Sequence, residues 1–239
     1  MKQVDRDGNR LLVFPSLERI GLTCAISTKP LDVKIESDRA RFLLAAGLDP
    51  ARSVTPRQMH RADVLDVRAP LETPAAVDAL ITDVPGLALC LRAADCSLVV
   101  VADPENRTVG VAHAGWKGSA RGVVIKLVRA LNQKYGSDPA NCFGAIGPTI
   151  SQAHYPVGTD VPAAFLRFRE WASRYVKMMD GRLHFDLAGA NAECLAEAGL
   201  PREHIAVSPY CTYGSPEILH SYRRDSTGAG HHGLCAAWV

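Results

Sequence analysis

The stretch CLRAADCSLVVVADPENRTVGVAHAGWKG, residues 90–118, decides how the chain is read. One apolar run ends in Ala94-Asp95-Cys96, a second ends at a short polar turn, and a third ends in His113-Ala-Gly-Trp-Lys-Gly118. Apolar runs of this length bounded by turn residues predict buried strands. Asp95, Cys96, His113, Trp116 and Lys117 then stand at strand ends, where the backbone holds side chains rigidly.

Outward from this centre, the apolar period changes. Val124, Leu127, Val128 and Leu131 fall on one face of an amphipathic helix, closed by Lys134 and Gly136. Cys142 to Gly147 predicts a further strand, and Asp160 to Ser173 a helix with Val161, Phe165 and Phe168 inward. Asp186 is placed to cap a helix from Leu187 to Ala198. Later strands are expected at Ile205 to Val207, Glu217 to Tyr222 and Leu234 to Val239, with Gly228 to Gly233 a flexible turn before the last. Upstream, Leu11 to Phe14, Ile20 to Ser27, Asp63 to Arg68 and Asp78 to Thr82 suit short strands, and Ser37 is an N-cap candidate for a helix through Ala46. Helices alternate with several consecutive strands, so mixed sheets are expected in one compact α/β domain spanning residues 1–239.

Composition narrows the class. The 239 residues are 47% hydrophobic and 22% charged, which is ordinary for a globular chain with a sizeable core. A net charge of +2 gives no support for nucleic acid or a membrane surface as partner. No run reaches the roughly 20 apolar residues that cross a bilayer, and MKQVDRDGNRLLVF lacks the apolar core of a secretory signal. The 7 cysteines are scattered with no CxxC pair. That pattern predicts a cytoplasmic protein whose thiols are mostly small core residues.

Three residues invite a chemical reading: His60, Cys96 and His113, each at or beside an apolar strand. Two imidazoles and a thiolate suit zinc with an open fourth position. They equally suit a Cys96 nucleophile with His113 or His60 as base. The same types describe a blue-copper centre with Met59 as axial ligand, but the 8 histidines include no His-x-His pair, which disfavours copper oxidation. A core thiol with two unrelated histidines is the plain alternative. Asp78 and Asp95, carboxylates beside buried strands, are candidates for a general base or for orienting a histidine, and equally for turns or caps. At the strand-to-helix corner, Trp116 suits stacking on a flat ring and Lys117 suits a phosphate, although a structural Trp at a tight turn reads as well. Arg223 and Arg224 offer bidentate phosphate contact. If that segment is extended, they point to opposite faces and one at most enters a pocket.

Taken in order, Gln58-Met59-His60, Asp78-Ala-Leu-Ile-Thr82, Ala94-Asp95-Cys96, His113-Ala-Gly-Trp-Lys-Gly118, Gly147-Pro148 with Tyr155-Pro-Val-Gly158, and Ser221-Tyr-Arg-Arg224 with Thr227-Gly228 resemble the laccase-domain family, also called the multicopper polyphenol oxidoreductase family. The motifs cover most of the chain from about residue 54 onward. The resemblance implies two mixed β-sheets layered between helices. It implies one zinc ion on His60, Cys96 and His113, and phosphorolysis of adenosine, inosine, guanosine and methylthioadenosine, with adenosine deamination as a further activity. Purine nucleosides and inorganic phosphate are then the partners of a monomer or small homo-oligomer. The family's older label implies copper and phenolic substrates instead, and a non-enzymatic member retaining the fold is a third possibility. Departures from the family pattern lie around the ligands: Arg61 replaces the usual Gly, Ser27-Thr28-Lys29-Pro30 replaces a glycine-rich stretch, Thr149 replaces a common Cys, and Ala229 replaces an Arg.

Overall fold

The computed structural model describes residues 1–239. The first third supplies β1 (Lys2–Arg6), β2 (Asn9–Val13), α1 (Pro15–Arg19), β3 (Leu22–Ser27), α2 (Glu36–Ala45), β4 (Ser53–Val54), β5 (Val64–Asp66) and β6 (Ala79–Thr82). The middle supplies β7 (Ala88–Ala93), β8 (Ser97–Asp103), β9 (Thr108–Ala114), α3 (Trp116–Ala120), α4 (Val123–Tyr135) and β10 (Phe143–Ile146). The last third adds β11 (Pro156–Val157), α5 (Asp160–Leu166), β12 (Val176–Met179), β13 (Arg182–Phe185), α6 (Leu187–Glu197), β14 (Ile205–Val207), α7 (Tyr222–Asp225) and β15 (His232–Trp238).

Two six-stranded mixed sheets result, in the orders β1-β2-β3-β15-β7-β4 and β14-β10-β8-β9-β6-β5. Each carries parallel pairing at an edge, β4 with β7 in the first and β5 with β6 and β10 with β14 in the second; the other pairs are antiparallel. The sheets pack face to face. Leu12, Ile26, Leu91 and Leu234 of one meet Leu80, Leu98, Val100 and Val111 of the other in the largest apolar cluster. Alternate residues of the same strands face outward. Val99, Val101 and Ala112 lie under α4 and α6, and Leu11, Ala25 and Cys235 lie under α2. Strands covered on both faces need apolar side chains at every position, which is why β8 and β9 read as continuous runs.

The chain leaves the first sheet at Ala93 and enters the second at Ser97, so Ala94-Asp95-Cys96 is the crossover between sheets. Several expectations need correction. The helix expected over 160–173 ends at Leu166, and a separate 3₁₀ turn covers Glu170–Tyr175. Arg169 turns inward there to Glu197 and the Ala120 carbonyl, leaving Phe168 exposed. Residues 217–221 form no strand but a turn and its continuation, with the N–H groups of Ile218 and Leu219 donating to the Ser215 carbonyl, and Tyr222 begins α7. Arg223 and Arg224 then sit on α7, capped by the Ser221 hydroxyl. Helix α2 starts at Glu36 after an Ile35 that offers no capping side chain, so Ser37 is not its cap. The flexible turn expected over 228–233 gives way at His232, the buried first residue of β15. No helix is long and apolar enough to cross a membrane.

Candidate metal centre and pocket

Asp78 organises the site from below. It is fully buried, and its carboxylate accepts the backbone N–H groups of Met59 (2.9 Å), His60 (2.9 Å) and Arg61 (2.7 Å). Its Oδ1 also lies 2.8 Å from His113 Nδ1. Burial opposes the charge, but the bonds from His113, Arg61 and Met59 hold the Asp78 carboxyl below its ordinary range. An ionised Asp78 accepts the Nδ1 proton of His113 and leaves Nε2 to face the site. Gln58 fixes the other end of the same loop, exchanging bonds with the backbone of Arg92 (Nε2 to the carbonyl 2.7 Å, N–H to Oε1 2.9 Å). So held, His60 keeps a φ of 56°, a conformation few non-glycine residues adopt unaided.

Cys96 comes from the crossover and His113 from the end of β9. With His60, their ligand atoms all lie within 4.8 Å of one another. Most thiols in this protein are inert. Burial pushes Cys24, Cys90, Cys142 and Cys194 up to about 12. Burial opposes the Cys96 thiolate as well, yet His113 and His60 bring its pKa down to about 6. Burial likewise opposes charge on His113, while Cys96 and Asp78 raise it to about 9. Cys96 is therefore a thiolate near neutral pH, the form that both a metal ion and a nucleophilic role require. Gly115 closes the group. A Cβ there would come within 2.7 Å of Cys96 Sγ and 3.1 Å of His60 Nδ1, so glycine is what lets the backbone approach.

A cavity of about 490 Å³ opens on these three residues. Trp116, Tyr155 and Tyr222 give it aromatic walls, and Arg92, Lys117 and Arg223 give it three cations against the one carboxylate of Asp95. Asp95 is nevertheless engaged: it accepts the Thr212 hydroxyl and the Arg223 N–H, each at 2.6 Å. That fixes the start of α7, and Arg223 lies over the Tyr155 ring at 5.3 Å and donates to the Pro156 carbonyl. Lys117 lies 5.5 Å from the Trp116 ring centroid.

Of the nine residues singled out in the sequence, His60, Asp95, Cys96, His113, Trp116, Lys117 and Arg223 line this cavity. Asp78 lies behind it, touching His113. Arg224 points elsewhere, donating to the carbonyls of Thr212, Tyr213 and Leu219 and pairing with Asp225. Arg92, Tyr222 and His231 belong to the wall and were not foreseen. Arg92 did carry a signal, a cation inside the apolar run of β7.

A family model described as multi-copper polyphenol oxidoreductase laccase matches residues 21–238. A purine nucleoside phosphorylase of Xylella fastidiosa is 34% identical over 98% of this chain and 90% of its own length. One of Deinococcus radiodurans is 35% identical over 82% of this chain and 74% of its own. Among solved structures, the Bacillus licheniformis hypothetical protein YfiH superposes with a TM-score of 0.90 at 26% identity, covering 98% of both chains. YlmD from Geobacillus stearothermophilus follows the same fold, with a TM-score of 0.86, 26% identity, and coverage of 98% of this chain and 95% of that one.

Proposed function

The chain belongs to the multi-copper polyphenol oxidoreductase laccase family, and we propose that this member is a zinc-dependent purine nucleoside phosphorylase, with adenosine deamination as a second activity. The observation that carries the reading is the convergence of His60, Cys96 and His113 on a cavity that also holds aromatic faces and cations paired with no carboxylate. Relatives at 31–37% identity bear the name purine nucleoside phosphorylase.

The donor set fits zinc. Two imidazoles and a low-pKa thiolate are donors of the kind and number that a zinc site with one open position would use. Asp78 supplies the carboxylate partner that such a histidine takes, and Gly115 leaves the room. When bound, a zinc ion would supply a Lewis acid at the cavity wall. The protein's own residues do the rest. Trp116 and Tyr155 offer faces to the purine. Lys117 and Arg223 hold phosphate, with Arg223 aimed by Asp95. Phosphate oxygen attacks C1′ of the ribose as the bond to the purine nitrogen breaks, so holding both partners in line contributes most of the acceleration. Asp78, saturated by four donors, positions His113 and moves no proton of the substrate. The family's descriptive name points to copper and phenols. Multicopper chemistry calls for several ligand clusters, whereas one group of three such side chains converges in this chain.

The test is elemental analysis of the purified protein followed by a nucleoside panel with and without phosphate. We expect zinc and phosphate-dependent release of hypoxanthine from inosine, both lost in Cys96→Ser. Absence of turnover in zinc-loaded wild type overturns the assignment. Copper with phenol oxidation would replace it, and activity lost with zinc retained would make Cys96 a nucleophile.

A further inference from the structure

Beside His60, but outside its cavity, lies a second groove of about 650 Å³. Arg61, Arg121, Lys126 and Arg169 line it with Asp63, Glu197 and Phe168. Arg169 is already committed: its side chain is 9% exposed, bonded to Glu197 and to the Ala120 carbonyl. Arg61 and Lys126 have no carboxylate within salt-bridge reach, and Arg121 makes one long bond, to the His60 carbonyl at 3.4 Å. Four cations thus face two carboxylates, one of them spent on Arg169.

The backbone makes this charge costlier. Arg121 and Lys126 bracket the start of α4, a 13-residue helix whose N-terminus has no side-chain cap and no acidic residue in its first turn. Gly122, its left-handed N-cap, packs so closely that a Cβ would come within 3.0 Å of the Arg169 guanidinium. The N-terminal end of a helix favours negative charge, yet here cations crowd it. A bound anion would relieve both the mutual repulsion and the uncompensated dipole. Phe168 is 67% exposed on the same groove, an apolar face of the size that takes a flat ring.

We propose that this groove binds a nucleoside monophosphate, with the phosphate between Arg61, Arg121 and Lys126 and the base against Phe168. Because Arg121 also holds the His60 carbonyl, the ligand sits one bond from the metal loop.

Calorimetric titration of the purified full-length protein with AMP, inorganic phosphate and adenosine tests the proposal without requiring any turnover; because the other cavity is assigned purine and phosphate as well, variants of each site decide where AMP binds. AMP is expected to bind, more weakly as salt rises. Arg61→Gly with Lys126→Ala should weaken it at least tenfold, and Lys126→Ala alone, on α4 and outside the other cavity, should weaken it in the same direction. Arg223→Ala, which alters only the other cavity, should leave it unchanged. Phe168→Ala should reduce the affinity for AMP but not for phosphate. Circular dichroism melting identifies any variant that has lost its fold. No AMP binding at millimolar concentration overturns the proposal, as does binding lost in Arg223→Ala and kept in the groove variants. Phosphate binding as tightly as AMP in Arg223→Ala, or a single-stranded RNA binding far more tightly through the groove residues, overturns the assignment to a mononucleotide.

Discussion

His232 is wholly buried at the start of β15, and neither ring nitrogen has a hydrogen-bond partner. Burial, with the charges of His220 and His231, pushes its pKa down to about 3. In the unfolded chain a histidine titrates near 6.5. Between those values the unfolded state binds the extra proton, so stability rises with pH there. The contribution is fully present above about pH 6.5 and is lost as the pH falls toward 3, at about 1.4 kcal/mol per unit for this one group. Urea titrations of wild type and His232→Leu across that range are the check. The variant should lose that slope, and at pH 7 it should be equal or more stable by about 1–3 kcal/mol, because a lone polar ring leaves the core. A loss of stability at pH 7 would mean that the imidazole packs or bonds better than its surroundings suggest. In the sequence this histidine was hidden inside GAGHHG, where glycines suggest a turn. The three ligand candidates were legible by residue type, and Cys96 and His113 also by their place at strand ends, whereas His60 lies on a loop. The partners of Asp78 were not, since its donors come from 59–61 and 113, positions that only the folded backbone brings together.

Helix α4 approaches β9 over Gly110, and that contact sets the spacing of the outer layer. A Cβ at 110 would lie 2.7 Å from Leu127 Cδ1 and 3.0 Å from Ile81 Cγ2. Ordinarily Gly→Ala in a strand is favourable by roughly 0.5–1 kcal/mol. Here both neighbours are buried and overpacking costs about 1–3 kcal/mol, so Gly110→Ala should destabilise the protein. Leu127→Ala alone opens a cavity at a cost of about 2–5 kcal/mol. The double variant should cost less than the sum, because each change fills or frees the space of the other. Strict additivity in urea midpoints would show that α4 shifts as a body instead. This helix was readable from its 3.6-residue period, and β8 and β9 from their apolar runs, because in each case burial is written into neighbouring residues. Strand β1 was not. It is a polar edge strand joined to β2 through Asp7-Gly8, both at positive φ, so its hairpin signal lay in the turn and not in the strand. The 217–222 segment misled for the converse reason, since its apolar pair Ile218-Leu219 is buried at a turn and not in a strand.

Across the whole molecule, the ligands join parts of the chain that no local signal connects. His60 lies on a loop, Cys96 on the crossover between sheets and His113 at the end of a strand in the second sheet. Strand β15 is inserted between β3 and β7, a pairing of the far C-terminus with both early and middle strands that periodicity cannot reveal. A zinc ion held at this junction would tie the 58–61 loop to both sheets. The unfolded chain offers the same ligands 36 residues (96 − 60) and 17 residues (113 − 96) apart. Closing such loops costs entropy, so binding favours the folded state. By mass action, free zinc at 100 times its dissociation constant adds about 2.7 kcal/mol. For a chain of this length that is a rise of roughly 5–10 °C in Tm. We therefore expect chelation to lower the Tm of wild type by that amount and zinc to restore it, while Cys96→Ser melts at one temperature with or without the metal. Gly110→Ala, on the α4-facing side of β9 and three residues before His113, should be less stable yet keep the full zinc-dependent shift. An identical shift in Cys96→Ser would place the metal elsewhere in the molecule. A wild-type Tm indifferent to both chelator and zinc would remove the ion from the architecture altogether.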